Sequence, residues 1–273
     1  MVDFFFDTAD DDYIYKLWKK IGKYVDNDKV RGITTNPNAF SKVEMKSLTQ
    51  WEKQLSVLCE LVSYIRGDKF GVVYVQGPSS KMDAEELLQF TKHITQFTDG
   101  NSSIGLKIPP QSKILEVVDE LKQYTEINVT GVSDCSTALS CFTYDVDYVS
   151  LIPGRMEEVG INSYDHICFT QKNATNGEII SGSMRTIEGL SEMCQLGTVP
   201  TIGTRVWDQM EDSFDILLES SFDFNPDRVT FSDFSPTIDY KSRKLSEEFF
   251  VQMDECGPEV YSNVKQILSY SGN

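Results

Sequence analysis

Residues 103–131, SIGLKIPPQSKILEVVDELKQYTEINVTG, hold one complete strand–helix–strand unit. SIGLKI (103–108) is a short run with isoleucine near both ends, stopped by Pro109 and Pro110, which cannot extend a strand ladder. Residues 111–123 form an amphipathic segment, and EINVTG (126–131) resumes the strand pattern. Strands joined through a helix lie parallel, so this unit predicts a parallel sheet flanked by helices.

The same alternation extends in both directions. Strands are expected near 2–7, 30–35, 70–76, 147–152, 178–183 and 198–203, with amphipathic segments near 9–25, 47–66, 82–97, 134–144, 162–172, 186–196 and 205–219. In the third helix Ser79 and Ser80 offer caps, and Glu85 and Glu86 load the first turn. Eight strands alternating with eight helices predict an α/β protein with one closed parallel (β/α)8 TIM barrel, typically about 250 residues long. A doubly wound open sheet is the alternative, but the sequence has no GxGxxG turn in its favour. The barrel is expected over 1–220. Residues 221–273 read as a C-terminal loop and helical extension packing on the barrel or on a neighbouring subunit. Within it Leu245, Phe249, Phe250, Val260, Tyr261, Val264, Ile267 and Leu268 recur at helical spacing.

Charge narrows the partners. The 273 residues carry 25 Lys and Arg against 42 Asp and Glu, a net charge of −17, and the short basic stretches near Lys16–Lys23 and Lys241–Lys244 are interleaved with apolar or acidic residues. Nucleic acid and anionic membrane are therefore not expected partners. An anionic small molecule needs local positive charge. No run approaches 18 apolar residues, and MVDFFFDTADDD lacks the features of a secretory leader, so a cytoplasmic protein is expected. The six cysteines form no CxxC pair and read as reduced thiols; His93 and His166 are isolated, so no metal site is expected.

In a barrel of this kind the active site lies at the C-terminal ends of the strands. Side chains alternate between the two faces of each strand. Strand one puts Phe5 and Asp7 together, strand two ends in Thr34 and Asn36, and strand three in Tyr74 and Gln76. Strand four pairs Gly105 with Lys107, strand five Asn128 with Thr130, and strand seven continues Ser181, Ser183 and Arg185. Polar groups thus collect where the strands end. Lys107, the single charge in SIGLKIPP, has two readings: a side chain reaching out to solvent, or an amine desolvated in the barrel mouth. In the second, burial lowers the pKa and frees neutral amine to attack a carbonyl. Asp7 is either an N-cap of the following helix or a proton shuttle across from Lys107.

These motifs resemble a known family. FFFDTAD, GITTNPNAF, LKIP, NVT and the glycine–arginine pair of LIPGRM, in that order, are similar to transaldolases, in particular the small transaldolase and fructose-6-phosphate aldolase branch. The resemblance covers about residues 3–215, and VPTIGTRVWDQM looks like its eighth strand and following helix. It implies Lys107 as the Schiff-base lysine, Asp7 as the acid/base carboxylate and Thr130 as the residue holding the catalytic water. Thr34 and Asn36 would orient substrate hydroxyls, Asn128 matches an asparagine of the family, and Arg155, Ser183 and Arg185 match its phosphate site. Two guanidinium groups and a hydroxyl suit a phosphate dianion. Two departures stand out: Tyr74 where the family has Glu or Gln on strand three, and Ile152 in place of Phe or Tyr near the end of strand six. The expectation is that Tyr74 helps hold the catalytic water and that the smaller Ile152 makes room for its ring.

The resemblance implies transfer of a dihydroxyacetone unit from a ketose phosphate to an aldose phosphate, a transaldolase reaction of the pentose phosphate pathway. The iminium serves as electron sink, so neither metal nor organic cofactor is expected. Phosphorylated sugars are the expected partners, and the resemblance also implies a homo-oligomer. The alternatives are a fructose-6-phosphate aldolase releasing free dihydroxyacetone and a catalytically silent sugar-phosphate-binding barrel.

Overall fold

The computed structural model describes residues 2–43, 45, 47–210, 214–218, 236 and 240–256. Of the expected helical extension, Val260, Tyr261, Val264, Ile267 and Leu268 lie outside the described residues. Eight strands pair in parallel around a closed barrel in chain order: β1 (Phe4–Asp7), β2 (Val30–Thr34), β3 (Gly71–Gln76), β4 (Ser102–Ile108), β5 (Ile127–Val132), β6 (Tyr148–Leu151), β7 (Glu178–Ser181) and β8 (Val199–Gly203). The expected (β/α)8 architecture is present.

The helices follow the apolar spacing, with three refinements. After β1 and β2 come α1 (Asp11–Ile21), α2 (Pro37–Ser41) and α3 (Leu48–Arg66), and after β3 comes α4 (Ala84–Ile94). The segment expected as one helix over 111–123 is two single turns, α5 (Ser112–Leu115) and α6 (Val118–Leu121). They break at Val117, whose φ of −106° and ψ of 10° leave the helical basin; adjacent β-branched valines disfavour that basin. Next come α7 (Cys135–Phe142), α8 (Pro153–Glu158), α9 (Ser163–Asn173), α10 (Ile187–Gln195), α11 (Thr204–Met210) and α12 (Asp215–Leu218). The short α2 and α8 start on Pro37 and Pro153, residues suited to a first helical turn. Last comes α13 (Tyr240–Cys256).

Alternation sorts the side chains of β1 as expected. Phe4 and Phe6 point outward into the shell between strands and helices, where both meet Trp207 of α11. Phe5 points inward and joins Val72, Tyr74, Tyr148, Ile180 and Val199 in a separate apolar layer inside the barrel. Three aromatic rings stack edge-on there: Phe5–Tyr74 at 5.7 Å, Phe5–Tyr148 at 6.1 Å and Tyr74–Tyr148 at 5.7 Å. Room for the Tyr74 ring comes from Gly105 on β4, where a Cβ would lie 2.4 Å from that ring.

The last helix lies across the C-terminal ends of the strands. Its Leu245, Phe249, Phe250 and Met253 pack with Ile152, Met156 and Ile161 in a third apolar cluster. Gly131 at the end of β5 receives both phenylalanines: φ is +73°, and a Cβ would stand 2.7 Å from each ring. Only glycine meets both demands at low cost. Ser133 donates to the Ser242 carbonyl at 2.7 Å, Ser246 to the Gly131 carbonyl at 2.9 Å, and Ser80 to Asp254 at 2.8 Å, fixing the helix over the mouth.

Candidate active site

Strand register assembles the mouth. Gln76 of β3 is level with Lys107 of β4, and Lys107 is level with Asn128 of β5. On the other side Asp7 of β1 is level with Thr34 of β2 and Gly203 of β8. The inward polar positions therefore form a belt around the top of the barrel.

Lys107 does not reach out to solvent. The residue is 7% exposed, and among the described residues its ammonium makes one hydrogen bond, donating to the Thr35 carbonyl at 3.3 Å. Burial pushes its pKa below the ordinary lysine value, with the charge of Asp7 pulling the other way. A carbonyl oxygen is a modest partner for a buried cation, so the neutral amine is favoured relative to an exposed lysine. Asp7 is not a helix cap. Asp10 caps α1 by accepting from the Tyr13 amide at 2.9 Å, while Asp7 accepts from Thr34 Oγ1 at 3.0 Å. Thr34 thus steadies the carboxylate rather than lining the open cavity.

A cavity of about 490 Å³ opens at the mouth, lined by Asp7, Asn36, Arg155, Ser183, Arg185 and Arg205 among others. Five of the expected site residues meet there. Asn36 also caps α2, its side-chain oxygen accepting from the Ala39 amide at 2.8 Å. Arg155 donates to Gln252 at 2.6 Å and lies 5.1 Å from the Phe249 ring centre, so α13 positions it. Its Nε is buried with no hydrogen-bond partner among the described residues. Burial, and then the charge of Arg185, hold the Arg155 pKa below its ordinary value. Ser183 has φ of +59°, a left-handed conformation unusual for serine. Its carbonyl lies so close to α8 that a Cβ on Gly154 would be 2.0 Å away, which explains the glycine beside Arg155.

Lys107 lines a separate, narrower cleft with Gln76, Met82, Ile114 and Phe250. Asn128 accepts from Ser150 at 2.8 Å, and its Nδ2 is buried without a partner among the described residues. Thr130 is buried on the same face two positions on, where the β5–β6 register shifts.

One expected site residue falls elsewhere. Tyr74 points down the barrel, its hydroxyl donating to Glu126 at 2.8 Å at the start of β5, so it does not hold water beside Lys107. Burial and then Glu126 push the pKa of this phenol up, so it stays neutral. Ile152 likewise leaves no space for the Tyr74 ring; it packs against α13. The residue that meets Lys107 on β3 is Gln76, 4% exposed, with its Oε1 buried and unpartnered among the described residues. Alternation carries the signal: Tyr74 and Gln76 share a face, and only the last of them reaches the mouth.

Fold and site together define a (β/α)8 barrel with a buried amine and an arginine-rich cavity at its C-terminal face. The family described as Transaldolase/Fructose-6-phosphate aldolase matches residues 4–241, and the chain belongs to it. Among curated relatives, a "Probable transaldolase" of Streptococcus equi subsp. equi is 27% identical over 203 residues, covering 71% of this chain and 82% of the relative. One from an Exiguobacterium species is 25% identical over 213 residues, covering 76% and 88%. Among the described residues no helix is long and apolar enough to cross a membrane.

Proposed function

We propose that the chain is a class I, Schiff-base transaldolase acting on sugar phosphates. The observation that carries this reading is Lys107: buried, hydrogen-bonded to a carbonyl and to no carboxylate among the described residues, and level with two side chains whose buried polar atoms lack partners among those residues. Its amine attacks the C2 carbonyl of a ketose phosphate such as fructose 6-phosphate or sedoheptulose 7-phosphate. Loss of water leaves an iminium. Asp7 then takes the proton of the C4 hydroxyl, the C3–C4 bond breaks, and its electrons enter the iminium as an enamine. Glyceraldehyde 3-phosphate or erythrose 4-phosphate departs, according to the donor, and an aldose phosphate acceptor takes the three-carbon unit.

The remaining roles follow from position. Gln76 and Thr130 hold the water used in forming and hydrolysing the imine, with Asn128 and Asn36 on substrate hydroxyls. Arg155, Ser183 and Arg185 receive the phosphate. Thr34 orients Asp7. Substrate that reaches the amine passes Phe250, whose ring lines the cleft of Lys107.

Product analysis with fructose 6-phosphate tests the reading. A transaldolase yields sedoheptulose 7-phosphate when erythrose 4-phosphate is present and little free dihydroxyacetone without it. Free dihydroxyacetone formed at the same rate with or without the acceptor identifies an aldolase instead. Binding without any product identifies a silent barrel.

A further inference from the structure

The arginine end of the mouth cavity has a feature that phosphate binding alone does not explain. Arg185 donates from Nε to a carboxylate of the chain, Glu158 at the end of α8, at 2.7 Å. The pair sits at the rim, with side chains 32% and 55% exposed. Two further guanidiniums act on the same carboxyl. The hydrogen bond from Arg185 holds its pKa below the usual range against the opposing effect of burial, and the charges of Arg185, Arg155 and Arg205 add smaller contributions in the same direction as the hydrogen bond. Arg205 lines the cavity with Arg155 and Arg185 and makes no hydrogen bond or ion pair among the described residues. In a chain with 17 more acids than bases, three arginines lining one cavity, with a single carboxylate paired to one of them, form an unusual concentration of positive charge.

We propose that Glu158 is the resident counter-ion of a three-arginine anion site formed by Arg155, Arg185 and Arg205, and that a phosphate ester binds there by displacing it. This rests on the sugar-phosphate reading above and deepens it by adding Arg205 as a specificity residue. Like charges held together repel, and a carboxylate relieves that repulsion in the free enzyme. A phosphate dianion brings more charge and three acceptor oxygens, and guanidinium forks match it bidentately. The exposed pair itself is weak, being screened by solvent, so exchange is easy. Glu158 then tunes affinity, making the site selective for a dianion over a single carboxylate.

Calorimetric titration of the full chain with inorganic phosphate tests this, using wild type, Glu158→Gln and Arg205→Gln. Glutamine still accepts from Arg185 Nε, so the first variant removes charge and little else. Glu158→Gln is expected to bind phosphate about threefold tighter and Arg205→Gln about threefold weaker. In turnover, discrimination between fructose 6-phosphate and fructose should widen in the first and narrow in the second. If Glu158→Gln binds equally or more weakly, Glu158 only orients Arg185, and the proposal fails. Unchanged binding in Arg205→Gln removes Arg205 from the site. A wild type that binds no phosphate overturns both this inference and the phosphate half of the proposed function. Phosphate binding with neither variant altered overturns the inference alone.

Discussion

Replacing Tyr74 with phenylalanine separates stability from chemistry at the one expected site residue that the structure places elsewhere. The change deletes a hydroxyl and keeps the ring, so the packing against Phe5 and Tyr148 survives and no cavity forms beyond one oxygen. What is lost is the 2.8 Å hydrogen bond to Glu126. Leaving this half-buried acceptor without its donor costs about 1–2 kcal/mol, the lower part of the range for a buried group. In a barrel of this size each kcal/mol shifts Tm by about 2–4 °C, so a fall of about 2–8 °C is expected. The penalty depends on pH. Burial raises the Glu126 carboxyl above its ordinary value, and the Tyr74 hydrogen bond partly lowers it again. A carboxyl raised in the folded state makes stability fall as pH climbs from its ordinary value through the folded one, because the folded state there holds more protons. Without the hydroxyl that fall steepens. The variant is therefore closest to wild type in acid, where Glu126 is protonated, and furthest from it at neutral pH and above. Urea unfolding across pH, beside kcat for fructose 6-phosphate cleavage, reads both quantities. Normal stability with a collapsed kcat would refute the reasoning and return Tyr74 to the chemistry.

Two other substitutions probe the mouth. Gln76→Ala should lower kcat by about 10²-fold or more with little change in unfolding midpoint, if Gln76 handles the water beside Lys107; equal kcat in single-turnover assays would place the water elsewhere. Phe250→Ala should destabilise by about 3 kcal/mol and expose the lysine cleft. With burial relieved, the Lys107 pKa rises toward its ordinary value, so the acid limb of kcat/KM moves to higher pH. An unmoved limb would mean that α13 does not desolvate the amine.

Much of the barrel is legible in the sequence because parallel βα units have two distinct periods. FFFD, with Phe5 and Asp7 inward and Phe4 and Phe6 outward, shows how far alternation carries. It also resolves the belt: Asp7, Gln76 and Lys107 sit on inward faces at strand ends, and Asn128, near the start of β5, is level with Lys107. Depth along the strand is harder. Tyr74 and Gln76 share parity, and only register with Lys107 shows that two residues separate barrel interior from mouth. Asp7 and Asp10 both precede α1, and composition does not say which one caps it; the Asp10 bond to the Tyr13 amide does. Long-range closure is least visible. The placement of Phe250 over Lys107 depends on a helix more than 130 residues further along the chain meeting Gly131. Glu158 and Arg205 pass unnoticed because charges in short helical turns usually face solvent.

Borohydride reduction in the presence of fructose 6-phosphate, read by peptide mass spectrometry with Lys107→Ala as control, tests the central claim most directly. The account predicts a sugar-derived adduct on the peptide carrying Lys107, absent in the control. Wild-type protein that binds the sugar phosphate yet traps no adduct, or traps it on another lysine, would contradict it.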